Sequence, residues 1–160
     1  MEEKDELVVI FMGSRKDKGF AGGIKERLDE FGVAYEARAL SAHKAPADTL
    51  EALNDYEDLD ANVVYIAVAG KSNALGPMLS ANSSRPVINC PPLGSFNEDV
   101  FSSLRTPTGV PCTTTLEPEN AAIHAVKILA LANESLKEKL EDWRREQRES
   151  VVSDDHELSF

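Results

Sequence analysis

The sequence predicts an α/β fold in which a parallel sheet of five strands lies between two layers of helices. Short apolar runs alternate with segments of helical periodicity along the chain, which is typical of strand–helix–strand units. Two of these runs, residues 7–12 and 63–68, are continuous and rich in β-branched side chains. Such runs are expected of interior strands that helices cover on both faces.

The other strand candidates are less regular. Residues 35–40 alternate in polarity, residues 86–89 are few and begin at a proline, and residues 112–116 are rich in threonine. These features favour positions nearer the edges of the sheet. The helix candidates that complete the alternation are residues 19–31, 46–56, 75–81 and 97–104.

The last helix candidate is long. It begins at Pro118, because proline suits a first helical turn, and it continues to about Ser150. An apolar stripe runs along it at steps of four and three residues, formed by Ala125, Leu129, Ala132, Leu136, Leu140 and Trp143. Since the stripe is longer than one small domain can cover, we expect a neighbouring subunit to cover it. The alternative is a helix that folds back on its own body or frays after Leu140.

A length of 160 residues predicts a single domain. We divide the chain into an acidic N-terminal extension (1–6), the main domain (7–132), a helical extension expected to pack on a neighbouring subunit (133–150) and a mobile tail (151–160).

The composition excludes several classes of function. A net charge of −11 argues against nucleic-acid binding, which depends on clustered Lys and Arg. No apolar run approaches the ~20 residues that a membrane span needs. The acidic start is unlike a secretory signal, so we expect a cytoplasmic protein. Cys90 and Cys112 are then expected to be free thiols packed beside the sheet, with no metal site.

Much of the acidity lies at the ends of the chain. Residues 1–6 carry four acids and one base, and residues 133–160 carry nine acids and five bases. The basic residues that fall in or beside predicted loops are Arg15, Lys16, Lys44, Lys71 and Arg105. An anionic small molecule is therefore an acceptable ligand despite the global charge.

In an open parallel sheet, ligands bind beyond the carboxyl ends of the strands. The loop after the first strand offers Gly13 and Ser14 for close contact with a phosphate, and Asp17 for a ribose diol. In the loop after the third strand, residues 69–77, small residues allow backbone amides to line a pocket. The fourth loop, residues 90–94, is stiffened by prolines and predicts a pocket wall. The first loop also has a simpler interpretation as a helix cap, and the third as a plain strand-to-helix turn.

The loop after the second strand reads Ser41-Ala42-His43-Lys44. An imidazole can move protons near neutral pH, and a neighbouring ammonium can hold a carboxylate or a phosphate. The alternative is that Ser41 or a nearby group caps the following helix while His43 and Lys44 face water. Taken alone, the stretch favours that alternative.

Taken together and in order, several motifs resemble the class II phosphoribosylaminoimidazole carboxylases (PurE family), the aminoimidazole ribonucleotide carboxylases of purine synthesis. The resemblance covers residues 7–132 and implies a flavodoxin-like three-layer sandwich that forms a homo-oligomer, a tetramer or an octamer. The motifs are Met12-Gly13-Ser14 with Asp17, Ser41-Ala42-His43-Lys44, Ala69-Gly70-Lys71-Ser72-Asn73-Ala74-Leu75-Gly76-Pro77, Cys90-Pro91-Pro92 and Ser102-Ser103-Leu104-Arg105.

The related mutase class, which moves a carboxyl group from the exocyclic amine to the ring carbon, carries an arginine after the histidine. It also has a second histidine in its third loop. This chain has Lys44 and Ser72-Asn73 at those places. The resemblance therefore implies direct and reversible use of CO2, with no ATP, biotin, metal or other cofactor.

The resemblance also implies roles for individual residues. His43 would transfer the proton and Lys44 would stabilise the carboxylate. Gly13, Ser14, Asp17 and Ser41 would hold the ribose phosphate, and Gly70, Lys71, Ser72, Asn73 and Leu75 would line the end that takes the base and CO2. His124 and His156 are expected to be non-catalytic, and the role of Lys16 stays open.

Three alternatives compete with the carboxylase interpretation. One is the mutase, and another is a noncatalytic module that binds a sugar phosphate or a flavin. A phosphoacceptor receiver domain is set aside, because it needs an acid after the third strand and Val68-Ala69-Gly70 supplies none.

Overall fold

The computed structural model describes residues 5–94 and 97–158 of the chain. In this described part, all strand pairs are parallel and the sheet has five strands in the order β2-β1-β3-β4-β5. The strands are β1 Glu6–Met12, β2 Ala34–Ala39, β3 Asn62–Val68, β4 Val87–Asn89 and β5 Thr113–Thr114. The predicted sheet is confirmed: the two continuous apolar runs are interior strands, β2 and β5 form the edges, and β4 lies one place inside.

The helices alternate with the strands as the sequence predicts. They are α1 Lys18–Phe31, α2 Pro46–Glu57, α3 Leu75–Ala81, α4 Phe101–Leu104, α5 Pro118–Leu129 and α6 Glu134–Glu157. Short 3-10 helices precede α1 and α4, at Arg15–Asp17 and Asn97–Val100. The helix predicted at 97–104 is therefore half 3-10 and half α-helical.

The core has two layers, one on each face of the sheet. In β1, Val8 and Ile10 face the cluster that includes residues of α1, α5 and α6. Val9 and Phe11 face the opposite cluster, which includes residues of α2 and α3. Side chains of a strand point alternately to its two faces, so a continuous apolar run fills both layers. The three-layer α/β sandwich is confirmed.

The single helix predicted from Pro118 to Ser150 is wrong. The chain breaks after Leu129, and a new helix begins at Glu134. Asn133 caps this helix, because its side chain accepts a hydrogen bond of 2.8 Å from the amide of Leu136. The long C-terminal helix itself is present, as α6. It continues to Glu157, so residues 151–157 of the expected mobile tail are its last turns.

The first half of α6 folds back on its own body. Leu136 and Leu140 are 4% and 9% exposed and belong to the core. The ring centroid of Trp143 lies 6.0 Å from that of Phe31 in α1. This corrects the expectation that a neighbouring subunit covers the whole stripe, because the same chain covers these three side chains. Packing of residues 144–150 on a neighbour stays a prediction.

Two further expectations concern composition. No helix within residues 5–94 and 97–158 combines the length and the apolar character that crossing a membrane requires. Cys90 and Cys112 are free thiols, the first buried in one core layer and the second packed against the other. Burial raises the pKa of the Cys90 thiol to about 12. Across the same described ranges, no three His, Cys, Asp or Glu side chains are grouped to hold a metal ion.

Candidate active site at the carboxyl edge of the sheet

The first three strands end at the same level. Met12 pairs in register with Ala39 of β2 and with Val68 of β3. The ladder continues one residue further, because the Gly13 amide donates to the Val68 carbonyl at 2.9 Å and the Leu40 amide donates to the Met12 carbonyl at 2.9 Å. The loops that follow these strands therefore leave the sheet side by side, at the carboxyl ends of the strands. We call this side of the sheet the carboxyl edge.

The loops also approach one another closely. A Cβ atom added to Gly13 would lie 3.4 Å from the Cβ atom of Ala69, so the first loop contacts the third. A Cβ atom added to Gly70 would lie 3.0 Å from the carbonyl oxygen of Pro92, so the third loop packs against the fourth. Glycine at position 70 avoids this crowding. The first, third and fourth loops are therefore in contact, and the second loop begins beside the first.

In the first loop, Ser14 caps the 3-10 helix. Its side-chain oxygen accepts a hydrogen bond of 3.2 Å from the Lys16 amide, and its carbonyl accepts one of 3.0 Å from the Asp17 amide. The capping interpretation thus holds for Ser14, although its hydroxyl proton is still available for a ligand. Asp17 is half-buried, and its burial raises the pKa of its carboxyl group, with a partly opposing hydrogen bond to the Ser14 backbone.

The second loop is a tight turn closed by the backbone of Ser41. The Ser41 carbonyl accepts hydrogen bonds from the amides of Lys44 at 3.1 Å and Ala45 at 2.8 Å. Ala45 is the residue that caps α2, and no side chain bonds there, so the first half of the predicted alternative, a side-chain cap by Ser41 or a nearby group, is wrong. The other half of that alternative, exposure of His43 and Lys44, agrees with the structure. The side chains of His43 and Lys44 are exposed on this turn. Thr49 ties the turn to α2 by donating from Oγ1 to the Ala45 carbonyl at 2.7 Å.

The third loop contains an unusual backbone. Lys71 and Ser72 have φ angles of 51° and 53°, in the left-handed region. For residues other than glycine this region costs about 1–3 kcal/mol each, and it persists only where the surrounding structure imposes it. Both side chains are exposed. The strained pair lies between Gly70 and Asn73, at the edge where the loops meet.

Hydrogen bonds of Asn73 hold the third loop to the rest of the fold. It is 5% exposed, and its Nδ2 donates to Asn89 Oδ1 and to Ser103 Oγ, both at 3.0 Å. Its Oδ1 accepts from the Gly76 amide at 3.1 Å. Its own amide donates to Ser102 Oγ at 2.8 Å. Both amide hydrogens and the oxygen of the side chain are therefore bonded within the protein.

The structure gives two of the predicted ligand contacts a different role. All polar atoms of the Asn73 side chain are hydrogen-bonded within the buried network. Leu75 is 2% exposed and lies in the hydrophobic core. For both residues, only a ligand contact through backbone atoms stays a prediction. Asn89 and Ser103 were not among the predicted site residues. The signals in the sequence were a polar residue at the end of a short apolar strand and the Ser102-Ser103 motif.

Exposed basic side chains surround this edge. Arg15 and Lys16 lie in the first loop, Lys44 in the second and Lys71 in the third, and Arg105 follows α4. Within the described ranges none of the five is in an ion pair. They remain available to an anionic ligand.

Two cavities lie away from this edge. One of about 240 Å³ is at the opposite end of the sheet and includes Arg85, whose guanidinium is held by Glu57 and by the carbonyls of Ala61 and Leu59. The other, of about 280 Å³, lies between α1 and α6 beside Trp143. Neither is lined by a predicted site residue, so the strand-end loops remain the candidate site.

Known proteins are similar to this chain over almost its whole length. The family model for AIR carboxylase matches residues 7–150. The chain belongs to the AIR carboxylase family. A phosphoribosylaminoimidazole carboxylase of Archaeoglobus fulgidus is 41% identical over 152 residues, which are 94% of this chain and 83% of that protein. The crystal structure of Treponema denticola PurE has a TM-score of 0.94 at 35% identity, covering 97% of this chain and 99% of that one.

Animal relatives in the AIR carboxylase family are longer. The bifunctional phosphoribosylaminoimidazole carboxylase/phosphoribosylaminoimidazole succinocarboxamide synthetase of Drosophila melanogaster is 47% identical over 133 residues, 82% of this chain and 31% of that protein. This chain thus spans about a third of the length of such relatives. The suspected family and the flavodoxin-like fold are confirmed, and the roles of single AIR carboxylase residues stay predictions.

Proposed function

We propose that this chain reversibly carboxylates 5-aminoimidazole ribonucleotide with CO2 to 4-carboxy-5-aminoimidazole ribonucleotide, without ATP, in purine biosynthesis. The observation that supports the proposal is that β1, β2 and β3 end at the same level. The loops that carry Ser14 and Asp17, His43 and Lys44, and Lys71 and Ser72 therefore leave the sheet side by side. Relatives that share almost the whole chain are named phosphoribosylaminoimidazole carboxylase, which also supports the proposal.

The proposed reaction depends mainly on how the two substrates are positioned. The aminoimidazole ring is an electron-rich enamine, so its ring carbon can attack CO2 directly once the two are held together. The new carbon–carbon bond makes that ring carbon tetrahedral, and loss of its proton restores the aromatic ring. We assign the proton transfer to His43, whose exposed imidazole can reach a bound ligand. Lys44 stabilises the carboxylate as it forms.

The same edge supplies groups for the rest of the substrate. The backbone at Gly13 and the free proton of the Ser14 hydroxyl are suited to the phosphate, with Ser41 beside them. Asp17 is suited to the ribose hydroxyls. Gly70 and the Lys71-Ser72 backbone then face the base and CO2.

The deciding experiment offers both candidate substrates side by side. Purified protein is given aminoimidazole ribonucleotide in bicarbonate buffer without ATP, or the carboxyamine isomer without bicarbonate, and product formation is followed by ultraviolet absorbance. We expect turnover of the first substrate. Turnover of the carboxyamine alone would assign the chain to the mutase, and binding of either nucleotide without turnover would make it a noncatalytic module.

We further propose that the chain acts as a cytoplasmic homo-oligomer, a tetramer or an octamer, on a small molecule and not on nucleic acid or a membrane. Exposed apolar side chains of α4 support an oligomer: Phe101 is 58% and Leu104 57% exposed, and an exposed apolar patch is commonly an interface. Two free thiols are consistent with a reducing compartment.

A further inference from the structure

The Lys71-Ser72 pair is a two-residue span held at both ends. On one side, Gly70 is so close to the Pro92 carbonyl that an added Cβ atom would lie 3.0 Å from its oxygen. On the other side, Asn73 is fixed through both its backbone and its side chain. Two consecutive left-handed residues other than glycine do not adopt this conformation unaided. The groups that fix Asn73 therefore decide where Lys71 and Ser72 lie.

Those groups come from elements outside the predicted site loops. Asn89, 0% exposed at the end of β4, accepts from Asn73 Nδ2 and donates from its own Nδ2 to the Ser103 carbonyl at 3.2 Å. Ser103, 1% exposed in α4, accepts from Asn73 through Oγ. Thr114 of β5 also donates to the Ser103 carbonyl, at 2.9 Å. The network thus fastens the third loop to two strands and to α4.

The direction of each hydrogen bond is determined by its neighbours. Ser103 offers a backbone carbonyl, which only accepts, so Asn89 must turn its NH2 group to it and its oxygen to Asn73. Asn73 then has its NH2 group on Asn89 and Ser103, and its oxygen on the Gly76 amide. Gly76 also has to be glycine, because a Cβ atom there would collide with Asn89 Oδ1. Each side-chain nitrogen and oxygen of Asn73, Asn89 and Ser103 has a partner within this network, which favours a single arrangement.

We propose that Asn89 and Ser103 are positioning residues of the carboxylation site. Through Asn73 they hold Lys71 and Ser72 in the left-handed conformation that presents this backbone to the base and CO2. The inference rests on the proposed function for what the loop binds, and on the geometry alone for what holds the loop. Neither residue touches the substrate.

The test uses two variants of the network and one matched control. Ser103→Ala removes the oxygen that accepts from Asn73, and Asn89→Asp keeps the acceptor for Asn73 but removes the donor to the Ser103 carbonyl. The control is Tyr65→Phe, which also removes one hydrogen bond from a fully buried side chain, to Glu57 at 2.6 Å, without touching the third loop. Comparison at matched thermal stability separates positioning from general destabilisation.

Two readouts are taken on the full-length protein. We expect amide hydrogen exchange at residues 71–76 to be about tenfold faster in Ser103→Ala and unchanged in Tyr65→Phe. We expect kcat/KM for aminoimidazole ribonucleotide to fall about tenfold in Ser103→Ala, mostly through kcat, and to stay within about twofold in Tyr65→Phe. Equal losses in Ser103→Ala and Tyr65→Phe would overturn the inference.

Asn89→Asp adds a test by pH. A protonated carboxyl group at position 89 can donate to the Ser103 carbonyl as the amide does, whereas the ionised form cannot, and burial raises the pKa of such a group. The titratable group beside Asn89 is the Cys112 thiol, whose own pKa burial raises, with Ser80 and Asn89 opposing. The ratio of variant to parent kcat/KM should therefore rise as the pH falls from about 8 to about 6. A ratio that does not change would contradict the assigned direction of the hydrogen bond.

Failure of the inference and failure of the proposed function give different results. If the parent turns over neither substrate, the proposed function is wrong, and the exchange rates at residues 71–76 alone decide the positioning role. If the parent is active and Ser103→Ala changes neither exchange nor kcat/KM, the positioning role is wrong and the function stands.

Discussion

His43 is the side chain on which the proposed chemistry depends. Its turn is closed by two hydrogen bonds to the Ser41 carbonyl, so the backbone is fixed while the imidazole stays exposed. That combination suits a proton-transfer group, which must have a fixed position and still reach its ligand. Because its imidazole is exposed, His43 makes no contribution to the hydrophobic core.

We expect His43→Asn to lower kcat for carboxylation by about 10²- to 10⁴-fold, the range that general acid–base catalysis supplies. Binding of aminoimidazole ribonucleotide, measured by calorimetry, should change little because an amide fills much of the same space. His156→Asn is the matched control, since His156 is exposed on α6 far along the chain. Parent-level turnover by His43→Asn would remove His43 from the mechanism.

The carboxyl group of Asp17 is predicted to lower the stability of the folded protein while it favours binding of the ribonucleotide. Burial raises the pKa of its carboxyl group in the folded protein. The stability associated with its protonated form is therefore fully present below the unfolded pKa of about 3.9 and is lost as the pH rises through the folded pKa. Above its folded pKa the ionised carboxylate thus opposes folding. The proposed role of Asp17 as an acceptor for the ribose hydroxyls would offset that cost when the ligand binds.

We therefore expect Asp17→Asn to raise Tm at about pH 8 and to give a smaller gain at about pH 4, where the parent carboxyl group is partly protonated. Affinity for the ribonucleotide should fall in the same variant. Scanning calorimetry at the two pH values measures the first effect, and isothermal titration measures the second. A Tm lower than that of the parent at pH 8 would show that the carboxylate stabilises the fold.

Most elements were predictable because their patterns are local. β1 and β3 follow from continuous apolar runs, and α3 was predicted with its observed bounds, Leu75–Ala81. The break between α5 and α6 was missed because the apolar stripe keeps its helical period across it. The cap at Asn133 is a weak signal beside that periodicity.

The candidate site was predictable to a similar extent. The strand-to-helix alternation is enough to bring His43, Asp17 and Lys71 to one edge, because parallel strands share a carboxyl end. The buried network was not predictable, since Asn89 and Ser103 meet only through tertiary structure. Nor did spacing reveal that Asn73 and Leu75 point inward.

Because α6 packs against its own chain, we expect two leucines five positions apart to differ in their contribution to stability. Leu136 is 4% exposed and Leu131 is 88% exposed. We expect Leu136→Ala to lower the free energy of unfolding by about 2–4 kcal/mol, as for a leucine truncated in a core. Leu131→Ala should change it by less than about 0.5 kcal/mol in the isolated chain. Urea denaturation measures both values.

A different result for the Leu131→Ala control would be informative. If it destabilised the protein as much as Leu136→Ala, and more strongly at high protein concentration, Leu131 would be covered by a neighbouring subunit. If Leu136→Ala were neutral, α6 would not rest on its own body as the structure has it.

In the molecule as a whole, α4 joins the candidate site to the exposed surface. Hydrogen bonds from Asn73 to Ser102 and Ser103 hold α4 to the third loop. The outer side of α4 leaves Phe101 and Leu104 more than half exposed. Apolar side chains this exposed beside a binding edge are expected to be covered by another chain. A neighbouring copy seated on α4 would also press on the network that holds the Lys71-Ser72 backbone.

We therefore expect Phe101→Glu to lower both the molar mass, measured by light scattering, and kcat/KM. The buried charge would separate the subunits, and α4 would lose its cover. Leu131→Glu is the control, because Leu131 is 88% exposed and lies beside Ala132, which lines the cavity at the opposite end of the sheet; it should keep the parent mass and activity. A monomeric parent would contradict the oligomer, and loss of mass only in Leu131→Glu would move the interface to the end of α5. Dissociation of Phe101→Glu with full activity would mean that one chain completes the site alone.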